Sequence, residues 1–103
     1  MPTSPIILEK QPWEYRLLDF DFSNRVADPS TTILSATFLS PELIGGGTPS
    51  LTLSAATWSG LSVQALFSNG LSGERYLITC RADFANSERL EMEGILTILE
   101  VAA

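Results

Sequence analysis

Apolar residues recur at every second position through most of this chain. Leu18, Phe20 and Phe22 alternate with Asp19 and Asp21; Leu61, Val63, Ala65 and Phe67 alternate with Ser62 and Gln64; Tyr76, Ile78, Cys80, Ala82 and Phe84 share a face opposite Thr79, Arg81 and Asp83. A period of two is that of a strand with one face buried and one wetted. The spacing predicts strands over 15–22, 33–39, 51–53, 61–67, 76–84 and 89–101, with Leu34, Ala36 and Phe38 turned inward in the second. Asn69-Gly70 and Gly73 can take positive φ at little steric cost, so 61–84 reads as a hairpin around which the rest is arranged. In the last strand Leu90 and Met92 face in and Glu91 and Glu93 out; beyond Gly94 both faces are apolar, as though a β-bulge changed the phase there.

Turns fit between these runs. Asn24, Asp28-Pro29 and Ser30 mark one loop, Pro41 with three consecutive glycines at 45–47 marks a flexible loop tip, and 85–88 marks a tight reversal. The only helical candidate, 88–93, is short and runs into β-branched residues. Six to seven short strands predict an all-β fold, an antiparallel β-sandwich of immunoglobulin-like type, with a small β-barrel as the alternative. Residues 14–103 form that domain and 1–13 an extended N-terminal arm. The arm carries Pro2, Pro5 and Pro12, yet Pro5, Ile6, Ile7 and Leu8 are apolar together. Such a segment suits an edge strand of its own sheet or docking on a neighbour, with Trp13 as an anchor in either case. Ile95 and Leu99, at the doubly apolar end of the last strand, would be covered by that arm or by another subunit.

Composition narrows the function. At 103 residues the chain holds one core, and 45% hydrophobic residues rule out a disordered polyelectrolyte. A net charge of −6 with scattered cations speaks against nucleic acid as a partner. No apolar run approaches a membrane span, and residues 1–10 lack the features of a signal peptide, so synthesis in the cytoplasm and no membrane partner are expected. Histidine is absent and Cys80 is the single cysteine. No zinc site, no cofactor site and no histidine-activated nucleophile are therefore expected. Asp19 and Asp21 lack the further oxygen ligands of a cation site, the glycine run lacks the Lys and helix of a phosphate cradle, and the remaining acids sit where solvent keeps them ordinary. Catalysis is not expected.

Taken in order, Asp21-Phe22-Ser23, the strand Ile33-Leu34-Ser35-Ala36-Thr37-Phe38, the turn from Gly70 to Tyr76, the strand from Tyr76 to Arg81 with Ile78-Thr79, and the close Leu96-Thr97-Ile98-Leu99-Glu100-Val101 resemble small bacteriophage proteins. These are fibre-tail adaptor or tail-associated structural proteins with an immunoglobulin-like domain, and the likeness covers about 18–101. Members often carry Trp after the early Asp and Gly-Gly before the Tyr strand; here Phe22 and Asn69-Gly70 stand in those places. The resemblance implies a non-enzymatic virion protein, assembled from the host cytoplasm in several copies around a symmetric tail or neck and bound to other virion proteins. It brings no catalytic residues. A capsid decoration protein, and a carbohydrate-binding sandwich using Trp58 or Tyr15, are the other readings.

Overall fold

A computed structural model describes residues 6–100 of the chain as strands and turns, without a helix among them. The strands are β1 (Ile6–Lys10), β2 (Arg16–Asp21), β3 (Ile33–Phe38), β4 (Glu42–Leu43), β5 (Leu51–Leu53), β6 (Thr57–Ser59), β7 (Ser62–Asn69), β8 (Arg75–Phe84) and β9 (Arg89–Ile98). One sheet runs β1-β9-β8-β3 with β4 also on β8; the other runs β2-β7-β5 with β6 also on β7. The two stay separate layers, so the fold is a β-sandwich and not a closed barrel. Its strand count exceeds six or seven because short pieces such as β4 and β6 also pair. All pairings are antiparallel but one: β1 lies parallel to β9, with Ile6 opposite Gly94 and Lys10 opposite Ile98.

The core is where the alternation put it. Leu18, Phe20, Val63, Ala65 and Phe67 from one sheet meet Tyr76, Ile78, Cys80, Ala82, Phe84, Leu96 and Ile98 from the other, all buried. Phe38 stands edge-on to both Phe20 and Phe67, at ring separations of 5.3 and 5.7 Å, and Phe22 meets Phe84 at 5.6 Å. Such edge-to-face pairs add about 0.5–1.5 kcal/mol each beyond the area they bury, and here they join the two layers.

Three local expectations are corrected. The 61–84 segment is not a hairpin: β7 pairs with β2, β5 and β6, whereas β8 pairs with β9, β3 and β4. Both strands have an apolar inner face, and those faces meet across the interior instead of lying side by side. The turn chemistry therefore serves a crossing between layers. Gly70, at φ 92°, makes the step where a Cβ would sit 2.9 Å from Ile98 Cδ1. The Gly73 N–H then donates to Ile98 O, and the Ile98 N–H to Glu74 O, each at 2.8 Å, tying the crossing to the end of β9.

In β3 the inward set is Ile33, Ala36 and Phe38, because the register against β8 shifts between Ile33 and Ser35. That irregularity absorbs one residue and turns Leu34 out, where it is 64% exposed. Gly94, conversely, carries no bulge. The β8–β9 register is continuous through Ile78 and Gly94, so Leu90, Met92, Gly94, Leu96 and Ile98 share one face. The glycine is there for room, since Phe20 from the opposite sheet occupies the space of its missing side chain.

Candidate partner-binding surfaces

The parallel pairing of β1 on β9 sorts the apolar residues of the first segment by face. Ile6 and Leu8 turn inward, half-buried against the core, and Ile7 turns outward at 70% exposure. Ile7 lies opposite Ile95, and Ile95 opposite Leu77 on β8. The three make an apolar row across the outer face of the first sheet, in which Ile95 and Leu77 are half-buried. Pro5 lies outside the described residues. Leu99 follows β9 directly, exposed at its side chain, while its N–H donates to Lys10 O at 2.9 Å. Of the residues expected to meet a partner, then, Ile7 and Ile95 are brought together, Ile6 and Leu8 serve the chain's own core, and Trp13 and Leu99 stand elsewhere.

Lys10 fixes the end of this strand. It is the one buried charged residue among those described, and its ammonium donates to Asn69 O at 2.6 Å, Gln11 O at 2.7 Å and Pro12 O at 3.3 Å. Burial holds its pKa below the usual lysine value, with Glu14 pulling the other way. A strand ending in Glu-Lys gives no sign of this in sequence; the pairing with β9 is what turns Lys10 inward.

On the second sheet a different apolar surface is open. Leu17 and Leu66 are cross-strand partners on the outer face of β2 and β7, and Leu17 is 58% exposed. Tyr15 continues that side of the chain at 70% exposure, and Trp13, in the turn before it, is 91% exposed. Asp19 and Asp21 lie on the same outer face, opposite Gln64 and Ser62. Leu17 and Leu66 were legible as outward positions, because Leu18, Phe20, Ala65 and Phe67 claim the inner ones. Their hydrophobicity alone hides that.

The remaining polar features belong to the scaffold. On the outer face of the first sheet, Arg81 pairs with Glu91 at 2.7 Å and Arg89 with Asp83 at 2.9 Å. Ser35 and Thr37 line the same shallow concavity of about 630 Å³. Exposed pairs of this kind contribute about 0–1 kcal/mol. Glu74 accepts from Leu71 N–H at 2.7 Å, Tyr76 O–H at 2.7 Å and Ser50 O–H at 2.8 Å. Desolvation works to raise its pKa, yet these bonds outweigh it and hold the carboxyl below the usual glutamate value. Burial pushes the Cys80 thiol up to about 12, far from the range of a reactive thiolate.

What the surface offers is extended backbone, two outward apolar patches and acidic neighbours. A family model described as podophage GP4 fiber-tail adaptor protein gp77 matches residues 10–97, nearly all of both sheets. The chain belongs to that family. The match begins at Lys10 and ends one residue short of the close of β9, so the patch of Leu17 and Leu66 falls within the family's unit, while Ile7, the exposed member of the other patch, lies outside it. No curated protein matches the chain. The family is one of phage structural proteins, and the fibre-tail adaptor resemblance carried by the order of strands and turns is borne out.

Proposed function

We propose that this chain is a non-enzymatic virion protein that bridges tail, neck or fibre components through protein–protein contacts, in several copies around a symmetric assembly. The observation that carries this is the family match spanning the sandwich itself and not one edge of it. Two apolar surfaces on opposite sheets support it, since a bridging protein must hold two neighbours at once. Single exposed apolar residues are ordinary on soluble proteins, whereas Leu17 and Leu66 lie side by side on the outer face, with the exposed Trp13 and Tyr15 close before Leu17 in the chain.

The strand order also supports the immunoglobulin-like part of the reading. With β2, β3, β5, β7, β8 and β9 taken as strands B, C, D, E, F and G, the sheets order as B-E-D and C-F-G, the arrangement of that sandwich. The carbohydrate reading gains no such support. Trp58 pairs with Val63 on the inner side of β7, while Tyr15 continues the outer side of β2, so the two rings share no platform.

Mass spectrometry and antibody labelling of purified particles test the proposal. The chain is expected in mature virions at the junction of tail and fibre, in a fixed copy number. Its recovery only in infected-cell lysate, or on the head lattice, would overturn the assignment.

A further inference from the structure

β2 is an outermost strand, and among the described residues nothing pairs with its outer backbone edge. The Phe22 N–H donates to Leu61 O at 2.9 Å, continuing the β2–β7 register. Alternation in an antiparallel ladder therefore directs the backbone groups of Leu18 and Phe20 to β7, and those of Leu17, Asp19 and Asp21 away from it. Among the described residues none bonds to those outward groups. Of the other edges, β3 is interrupted by its register shift, β5 and β6 run three residues each and β4 two, and β1 runs five, one fewer than β2, with its last residue, Lys10, turned into the core. β2 offers six residues without proline, glycine or bulge, and none of the lysines with which proteins commonly blunt an edge.

We infer that the β2 edge takes an extended segment of another protein as an added strand, with Lys or Arg facing Asp19 and Asp21 and apolar residues facing Leu17 and Tyr15. Main-chain bonds supply the attachment and alternate side chains the selectivity. Charge decides the occupant. Parallel pairing in register with a second copy sets Asp19 on Asp19 and Asp21 on Asp21. The antiparallel register centred on Asp19 again opposes that carboxylate to its twin, and the one centred on Leu18 faces the acids with Leu17 and Tyr15. Like charges directly opposite destabilise a sheet, and each chain already carries −6. A basic-apolar strand meets both halves of β2 favourably. The inference draws on the adaptor reading only for the expectation that such a partner is a virion protein.

Two fluorescein-labelled peptides, KTKTVTI and ETETVTI, provide the test, with fluorescence anisotropy at low salt against the full chain. The basic peptide is expected to bind at least tenfold tighter, and Asp19→Lys to erase or reverse that preference. Asp19 makes no side-chain hydrogen bond among the described residues, so this variant is expected to keep the fold, as circular dichroism checks. Asp19→Pro removes one outward N–H and no bond to β7, and is expected to weaken binding at least tenfold. Bound peptide should slow amide exchange at Leu17, Asp19 and Asp21. Equal affinity for the two peptides, no binding up to millimolar concentration, or protection at β1 or β3 instead would overturn the inference. So would binding only to a variant lacking residues 1–5, which would mean the chain covers this edge itself. Selective binding by a protein absent from tails would refute the adaptor reading and leave the edge assignment standing.

Discussion

Phe20 and Gly94 meet across the sandwich with no space between them for a methyl group. A Cβ at position 94 would lie 3.0 Å from Phe20 Cζ, 3.3 Å from its Cε2 and 3.2 Å from Leu8 Cδ1. Phe20 cannot easily give way, since it is fully buried and edge-packed on Phe38. Overpacking costs typically 1–3 kcal/mol, against about 0.5–1 kcal/mol gained from the lost freedom of glycine in the unfolded chain. Gly94→Ala is therefore expected to destabilise by about 1 kcal/mol, measured by urea unfolding. Phe20→Leu in the same chain should shrink that increment; equal increments in both backgrounds would deny the contact.

Cys80 makes stability fall in alkali. Its pKa rises from 9.0 to about 12 on folding, so between those values the native state holds a proton that the unfolded chain has lost. A group raised on folding contributes fully below its unfolded pKa and loses that contribution as pH climbs. At pH 10 the loss is about 1.4 kcal/mol, one unit of pH above the unfolded value. Cys80→Ala should unfold with a flatter dependence between pH 8 and 10, whatever constant cost the smaller side chain carries. In the folded wild-type protein the thiol should react with a disulfide reagent only as fast as the chain opens.

Lys10 acts in the opposite sense. Its folded pKa lies below 10.5, so between the two values the unfolded chain binds the extra proton and stability from this group grows with pH. Removing its ammonium leaves the carbonyls of Gln11, Pro12 and Asn69 without this donor. Lys10→Met is expected to cost about 1–3 kcal/mol at neutral pH, the range for losing bonds to a charged donor. Faster amide exchange along β1 would locate the effect.

Glu74 governs the acid side. Its carboxyl is depressed in the fold, so its contribution is present above the ordinary value of 4.5 and is lost as pH falls through the lowered one. Glu74→Gln should lose about 1 kcal/mol at pH 7 through weaker bonds to Leu71, Tyr76 and Ser50. Its stability should fall less than that of the wild type between pH 5 and 3. Parallel acid profiles for the two would remove Glu74 from the account.

The inner faces of β2, β7, β8 and β9 were readable because each obeys a strict period of two, and burial leaves that period no slack. Which strand neighbours which was not. β7 and β8 are adjacent in sequence and joined by hairpin-competent residues, but each carries an apolar face that a sandwich satisfies better face to face. Ile33 and Leu34 exchanged roles because a bulge shifts phase without a glycine or proline to announce it. At Gly94 the reverse held: a glycine suggested a bulge and instead made room for a phenyl ring on a strand more than seventy positions earlier. Of the surface, Ile7, Trp13 and Ile95 were singled out by hydrophobicity, while the open backbone of β2 depends on which strand lies beyond it, a property of topology that no local pattern encodes.

The parallel seam between β1 and β9 has a bearing on how the molecule comes to exist. It joins strands from opposite ends of the sequence, and β2 likewise waits for β7. A ribosome-bound fragment lacking β9 has neither the partner of β1 nor that of one edge of β8, so nascent chains stay uncommitted until β9 has been made. Folding then waits for that strand and proceeds in the millisecond-to-second range of domains dominated by distant contacts.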